Sequence, residues 1–332
     1  MKKIYLVFIV FLIGNVIESL AQDPVFTQFY ANPVYLNPAF AGSVRCPRLV
    51  LNYRNQWPGI KGAFVTNSAS YDQYLDAVSG GLGFQLLNDK AGEGALSTTN
   101  ISGIYSYHLQ AGRKFSINAG LQAAYFQRSV KWNELTYGDM IDDRHGFIYV
   151  SEETNGMEIR RNVDLSAGIL GYSDKFFLGF TANHLTQPKE GLKGNESRLP
   201  VRYTAHAGAV IQVKVSNGEE VKISPNILFT RQSEFMQFNA GCYINKGIVT
   251  VGGWYRDKES FIILLGVELN MFKFGYSYDI SVSEISRYSN GSHELSCTVQ
   301  FNCRTKRKYV EPDCKIEKPE KRKYRMVNCP TF

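Results

Sequence analysis

Six cysteines and five histidines are the residues of this 332-residue chain best suited to metal binding or catalysis. The histidines form no HExxH pattern and no pair at metal-ligand spacing. The chain also has no Gly-x-Ser-x-Gly elbow and no phosphate-binding loop. His145 follows the acidic run Asp142-Asp143-Arg144, which could hold a cation, although a solvated acidic loop is the simpler interpretation. The sequence therefore predicts no catalytic residues, no cofactor and no metal site, and we expect a protein that is not an enzyme.

The N-terminus reads as a secretory signal peptide over residues 1–21. Lys2 and Lys3 precede an apolar run from Ile4 to Ile13, and Ser19-Leu20-Ala21 supplies a small-x-small cleavage site. The next residue is Gln22 rather than cysteine, so no lipid anchor is expected. The pattern predicts that the protein leaves the cytoplasm.

After the signal, apolar and polar residues alternate with a period of two, which is typical of β-strands. From Phe115 to Tyr125 one face reads Phe, Ile, Ala, Leu, Ala, Tyr, and the other is mostly Ser, Asn, Gly and Gln. No apolar run approaches the roughly eighteen residues of a membrane helix. The alternation predicts about fourteen strands, near 46–57, 62–75, 78–88, 95–110, 113–128, 162–172, 175–185, 200–215, 220–231, 234–244, 247–256, 259–269, 271–281 and 291–303.

The lengths of these segments favour a membrane barrel. Most exceed a typical soluble strand and match the roughly nine to eleven residues that cross a bilayer on a tilt. Short turns alternate with long connections, of which 129–161 and 186–199 are the longest. Apolar faces rich in Tyr and Phe suit the aromatic girdles of a barrel better than the soluble alternative, a secreted β-sandwich. We predict an all-β fold, a transmembrane antiparallel β-barrel over residues 46–303.

Residues 22–45 combine aromatic side chains with two Asn-Pro steps. The residue before a proline avoids the helical region, so the steps at Asn32-Pro33 and Asn37-Pro38 exclude a continuous helix. The aromatic side chains must dock somewhere, because together they would form a large exposed apolar patch. Two interpretations remain open and do not exclude each other: the segment binds a partner, or it plugs its own barrel. The candidate partner-binding residues are Phe26, Phe29, Tyr30, Asn32, Pro33, Tyr35, Asn37 and Pro38.

Four passages of the chain resemble the PorP/SprF family, outer-membrane proteins associated with the type IX secretion system and gliding motility of Bacteroidetes. The passages are Gln22 to Ser43, the run Tyr53-Arg54-Asn55-Gln56-Trp57-Pro58, Leu82 to Gly92, and Gly291-Ser292-His293-Glu294-Leu295-Ser296. They stand in the family's order. The residues after Cys303 are not part of the pattern.

This resemblance implies a structural and interaction component of the secretion and gliding machinery. Such a barrel would link outer-membrane lipid to periplasmic ring or lipoprotein components, or hold a large secreted surface adhesin at the membrane. An even number of strands places both termini in the periplasm, together with the N-terminal segment. The alternative function is an outer-membrane porin or solute transporter, which predicts an open lumen. A third is a surface anchor with no part in export.

Residues 304–332 form a basic tail. They carry ten Lys and Arg against four Asp and Glu, so this tail holds +6 of the net charge of +7 and the barrel is nearly neutral. A KRKYxxxxC unit occurs twice with a period of fifteen residues. Its candidate binding residues are Lys306, Arg307, Lys308 and Tyr309, then Lys321, Arg322, Lys323 and Tyr324. Two interpretations compete, an adaptor for an acidic partner and an arm that touches anionic headgroups or peptidoglycan. A periplasmic location argues against nucleic acid.

Cysteines at both ends of the predicted barrel suggest disulfides in an oxidising compartment. Cys46 opens the first predicted strand and Cys303 closes the last, and these two strands are neighbours in a closed antiparallel barrel. We expect a Cys46–Cys303 disulfide to staple that closure. Cys314 and Cys329 are expected to pair within the tail.

Overall fold

The structure, a computed structural model, describes residues 23–112, 114–142, 144–152, 156–192, 197–214, 220–282 and 286–301. Within these ranges the chain forms seventeen strands, fifteen of them in one antiparallel sheet. Strands β10 (Arg202–Ala209) and β12 (Glu220–Gln232) also pair with each other, which closes the sheet into a barrel. Because β10 and β11 (Ile211–Lys214) are two parts of one interrupted strand, the described wall has fourteen strands, and the predicted fold is confirmed.

The strands are β1 (Arg48–Gln56), β2 (Phe64–Leu75), β3 (Gly80–Ala91), β4 (Leu96–Gln110), β5 (Ser116–Val130), β6 (Ile141–Asp142), β7 (Gly146–Phe147), β8 (Ile159–Tyr172), β9 (Phe176–Asn183), β10 (Arg202–Ala209), β11 (Ile211–Lys214), β12 (Glu220–Gln232), β13 (Phe235–Lys246), β14 (Val249–Arg256), β15 (Ser260–Leu269), β16 (Phe272–Ser281) and β17 (Ser292–Gln300). Strands β6 and β7 form a small hairpin outside the wall. The described part of the chain contains two short α-helices, α1 (Pro33–Leu36) and α2 (Ser286–Ser289). No helix among the described residues has the length and hydrophobicity needed to cross a membrane.

Each predicted strand corresponds to a strand of the wall, with one interruption. The predicted segment 200–215 divides into β10 and β11, and Pro225 of β12 lies opposite the gap between Gly208 and Ile211. Proline has no N–H to donate to a ladder, so the pairing is broken at that point.

The two rims of the barrel differ in the length of their connections. One rim, which we call the long-loop rim, carries residues 57–63, 92–95, 131–142, 144–152, 156–158, 184–192, 197–201, 233–234, 257–259, 282 and 286–291. The other, the short-turn rim, carries 76–79, 111–112, 114–115, 173–175, 247–248 and 270–271. Strand β1 begins and strand β17 ends at the short-turn rim, where Phe301 N donates a hydrogen bond to Pro47 O at 2.9 Å.

The period-two pattern decides which side chains face inward. In β5, for example, Leu121 and Tyr125 are exposed on the outer surface, whereas Asn118, Gln122 and Ala124 are buried. The outer face is dominated by exposed aliphatic and aromatic residues, as lipid requires. The core of the protein is therefore the lumen.

Candidate functional site in the barrel lumen

Residues 23–45 fill the inside of the barrel, and we call this segment the plug. Val34, Asn37, Ala39 and Ala41 have no exposed surface. Turns at Phe29–Ala31 and Pro38–Phe40 flank helix α1. Prolines begin α1 and the second turn, where the missing N–H costs nothing. The kinked path predicted from the Asn-Pro steps is thus a series of short helical turns.

The plug crosses the lumen from one rim to the other. At the long-loop rim, Asp23 contacts His184 and Arg202. Near the short-turn rim, Gly42 N donates to Asp72 Oδ2 at 2.8 Å. The aromatic rings of the segment pack inside the barrel, and the expectation that the chain termini face the periplasm stays a prediction. Of the two open interpretations, the structure shows the plug.

A buried carboxylate, Glu294 of β17, fixes the first half of the plug. Its oxygens accept hydrogen bonds from Thr27 N at 2.6 Å, from the Thr27 hydroxyl at 2.7 Å and from Gln28 N at 3.2 Å. Gln28 Nε2 donates to the Glu294 carbonyl at 3.0 Å. Arg54 Nη1 lies 3.4 Å from Glu294 Oε2, so the charge is also compensated. Such charge-assisted bonds are the strong ones, and here they join plug to wall.

The second half of the plug is held by backbone contacts. Ala39 O accepts from Ser106 Oγ at 3.2 Å and from Asn118 Nδ2 at 3.1 Å. Asn37 Nδ2 donates to Ile169 O at 3.1 Å. Close approach depends on an inward glycine, since a Cβ at Gly120 would lie 2.3 Å from Ala39 N. A side chain at this position is incompatible with the seated plug.

Plug aromatics pack against aromatic residues of the wall. Phe29 lies 4.9 Å from Trp254, and Tyr30 lies 5.4 Å from Phe177, between ring centroids. Phe40 stacks on His206 at 5.4 Å. These rings form one apolar cluster inside a mostly polar lumen. Their burial against the wall accounts for the aromatic residues noticed in the sequence.

The end of the plug at the long-loop rim is held by an ionic cluster that we call the latch, composed of Asp23, Asp164, His184 and Arg202. His184 bridges Asp23 at 2.8 Å and Asp164 at 2.7 Å. Burial opposes protonation of His184, but the Asp23 charge and both hydrogen bonds outweigh it and raise its pKa to about 9. Burial likewise opposes ionisation of Asp23, yet His184 and Arg202 hold its pKa well below the usual range. Asp23 and His184 are therefore both charged near neutral pH.

Above the plug, the long-loop rim encloses a cavity of about 670 Å³ that we call the vestibule. Its floor includes Asp23, Pro24 and Val25 of the plug. Arg54 and Arg256 line it and share Asp279, at 3.3 and 3.1 Å. The other charged residues of its wall are Asp89, Arg128, Glu190 and Glu259. Both arginine side chains are at least nine-tenths buried.

The structure sorts the sequence-predicted site residues into two groups. Phe26, Phe29, Tyr30, Asn32, Pro33, Asn37 and Pro38 are buried, Tyr35 is half-buried, and all of them lie inside the barrel. Whether a partner reaches them stays a prediction. The tail residues Lys306, Arg307, Lys308, Tyr309, Lys321, Arg322, Lys323 and Tyr324 lie outside the described residues, as do Cys303, Cys314 and Cys329.

Cys46 is disulfide-bonded, whereas Cys242 and Cys297 carry free thiols. Arg48 pairs with Gln300 across the closure, so the residues before β1 and after β17 are adjacent. The Cys46–Cys303 pairing fits this register and remains a prediction, because Cys303 is outside the described part of the chain.

Sequence reasoning did not single out the buried charges of the lumen as a group. Arg54, Asp279, Glu294 and Arg256 are buried on the inward faces, and of these the alternation had placed Asp279 on the polar face of its strand. The signal was present: in Phe272–Ile280, Asp279 has the parity of Gly275 and Ser277, and parity decides the face. The parity of a residue does not show which charged side chains lie next to each other across the barrel.

Three of the passages singled out in the sequence meet at one point of the lumen. Arg54 belongs to the second, Glu294 to the fourth, and Thr27 and Gln28 to the first. The third passage supplies Gln85, whose Nε2 lies 3.4 Å from Asn32 Oδ1 of the plug. The family model of the type IX secretion system membrane protein PorP/SprF matches residues 18–299, most of the chain. The chain belongs to the PorP/SprF family. Like its family, it is an outer-membrane β-barrel of the type IX secretion system.

Solved structures similar to this PorP/SprF protein share little sequence with it. The KdgM porin is 9% identical, covers 77% of this chain and 99% of its own, and has a TM-score of 0.38. The CymD monoaromatic hydrocarbon channel is 12% identical, with 82% and 93% covered and a TM-score of 0.43. The outer membrane protein Omp33 of Acinetobacter baumannii is 8% identical, with 78% and 100% covered and a TM-score of 0.43. No curated protein matches the chain.

Proposed function

We propose that this PorP/SprF protein is a docking component of the type IX secretion and gliding machinery of Bacteroidetes. In this role, the barrel holds either periplasmic ring or lipoprotein components, or a large secreted adhesin, at the outer membrane. The observation that carries the proposal is the plug, which occupies the lumen from rim to rim. A barrel filled by its own chain is suited to anchoring and docking, and we assign it no catalytic step.

The orientation we propose follows the loop lengths. Outer-membrane barrels carry short turns on the periplasmic side and long loops outside. On that basis the short-turn rim, where Phe301 ends the described part of the chain, faces the periplasm. The tail is then placed to bind acidic machine components, and the long-loop rim is placed to meet a surface client.

Affinity purification of the tagged protein from gently solubilised outer membranes tests this proposal. The intact chain is compared with a chain truncated after Cys303, and co-purifying proteins are identified by mass spectrometry. We expect ring components or a large adhesin with the intact chain. Loss of the ring components on truncation would assign their binding to the tail.

A charge-matched control separates tail recognition from general attraction to a basic surface. Neutralising two charges of the first KRKY unit with Lys306→Gln and Lys308→Gln should reduce recovery of ring components. Lys114→Gln with Lys175→Gln removes positive charge from the turns of the same rim and should leave recovery unchanged. A barrel that purifies alone in every form would contradict the docking role. Conductance of the intact chain in a planar bilayer would then favour the porin alternative.

A further inference from the structure

The vestibule is a cavity that the plug leaves open, and it has the features of a ligand site. Its volume of about 670 Å³ lies within the range of ordinary ligand pockets. The plug closes it from below, so anything that binds there enters from the long-loop rim.

The charges of the vestibule wall are unbalanced. Five carboxylates line it, from Asp23, Asp89, Glu190, Glu259 and Asp279, against three guanidinium groups. Most of them are paired, but two of the carboxylates have only weak compensation among the described residues. Asp89 accepts a hydrogen bond from Thr66, and Glu259 accepts one from Gln237 and lies 3.9 Å from the nearest guanidinium. The surplus of negative charge suits a cationic group.

The arginines of the same wall keep hydrogen-bonding capacity. Within the described residues, Arg54 Nε, Arg128 Nε and Arg256 Nη2 are buried and have no acceptor. A buried donor without a partner is unfavourable, so a small shift of these side chains toward an occupant that brings acceptors is favoured. Peptide carbonyl oxygens are acceptors of this kind.

Aromatic rings complete the wall. Trp57 and Phe64 lie edge to face at 6.2 Å near the mouth, and Phe126 and Phe235 also line the cavity. Such rings attract the ammonium and guanidinium groups of lysine and arginine through their faces. The three features agree on one kind of occupant.

We propose that the vestibule binds an extended polypeptide segment that carries lysine or arginine side chains. This inference rests on the proposed docking function and names the chemistry by which a surface client is held. The chain's own basic tail is a poor candidate, because Phe301 lies at the short-turn rim and the plug stands between.

Fluorescence polarisation on the full-length protein in detergent micelles tests the proposal directly. The probes are three fluorescein-labelled nonapeptides in which glycine alternates with lysine, with glutamate or with serine. We expect saturable binding of the lysine peptide alone, and its affinity should fall as sodium chloride rises from 50 to 500 mM because charge pairing is screened.

Paired variants locate the binding. Asp89→Asn with Glu259→Gln removes the weakly compensated carboxylates and should raise the Kd at least tenfold. Glu93→Gln removes an exposed carboxylate of the same rim outside the vestibule and should change the Kd less than twofold. The heat-dependent shift of folded barrel on an SDS gel confirms that each variant is folded.

Four outcomes would overturn the inference, and the first three are no saturable binding, equal binding of the glutamate peptide, and unchanged lysine binding in the double variant. Displacement of the peptide by the chain's own tail would appear as tighter binding after truncation at Cys303, and would overturn it as well. If a client co-purifies while the lysine peptide fails to bind, the docking function stands and only this site is wrong.

Discussion

Glu294 illustrates how one residue couples the plug to the wall. It has no exposed surface, and its carboxylate accepts hydrogen bonds from Thr27 and Gln28 and pairs with Arg54. Glu294→Ala leaves plug N–H groups and a buried guanidinium without this acceptor. We expect a loss of about 3 kcal/mol in the free energy of unfolding. Urea unfolding followed by tryptophan fluorescence measures it, since Trp254 contacts Phe29 of the plug.

An exposed ion pair provides the control for this measurement. Glu134 lies 2.8 Å from Lys131 with about half of its side chain exposed. Glu134→Ala should cost less than about 1 kcal/mol, because exposed pairs contribute little. Equal losses for the two variants would contradict the role assigned to Glu294.

Two glycines on neighbouring strands make a matched pair of substitutions. A side chain at Gly120 meets Ala39 of the plug, whereas a Cβ at Gly103 meets nothing within 4 Å. We expect Gly120→Leu to displace the plug and to raise single-channel conductance in planar bilayers. Gly103→Leu should leave the conductance unchanged. If Gly120→Leu folds and its conductance does not rise, the position of the plug does not depend on the close approach of Gly120 to Ala39.

At the scale of the element, the plug is held at its long-loop end by charges that titrate. The carboxylates of Asp23 and Asp164 raise the pKa of His184 from 6.5 to about 9. The contribution of His184 to the stability of the latch is therefore complete below pH 6.5 and is lost as pH rises through 9. The pKa of Asp23 is lowered, so its contribution is present above its ordinary value of 3.8 and is lost in acid. The latch should be strongest between about pH 4 and 6.5.

Limited proteolysis of the protein in micelles across this range measures plug release. We expect cleavage near Asp23 to increase between pH 6.5 and 9. His184→Gln should remove that dependence, because glutamine keeps a hydrogen bond and carries no titrating charge. His145→Gln is the control, since His145 bonds to Asp142 in an exposed loop far from the plug sequence. If cleavage still increases with pH in His184→Gln, the pH dependence does not come from His184.

At the scale of the whole molecule, closure of the barrel joins residues from the two ends of the chain. We expect a non-reducing digest to contain a peptide linking Cys46 to Cys303, with Cys242 and Cys297 alkylated without reduction. Cys46→Ser should lower the free energy of unfolding by about 2–4 kcal/mol, because the open chain gains entropy. Cys297→Ala removes a free thiol on the adjoining strand and should cost clearly less.

A different disulfide map would revise this account. Linkage of Cys46 to Cys314 or Cys329 would keep a covalent staple at the closure and would exclude the predicted pairing. It would also tie the basic tail to the short-turn rim, which bears on the proposed role of that tail.

The strands of the barrel wall could be predicted from the amino-acid sequence. Period-two alternation is a local property, and a strand in lipid has only two faces, so parity alone assigns Leu121 outward and Asn118 inward. The same regularity predicted fourteen strands and the long connections, and only Pro225 introduced a break. Four passages along the chain were enough to indicate the family.

The tertiary structure alone decided what the lumen contains. The aromatic segment was compatible with a partner or with its own barrel, because burial of Phe29 or Phe40 is equally favourable against any matching surface. The contacts that choose between them join residues more than a hundred positions apart, such as Thr27 with Glu294 and Asn37 with Ile169. Such pairings follow from closure of the sheet, and no local pattern of the chain encodes them.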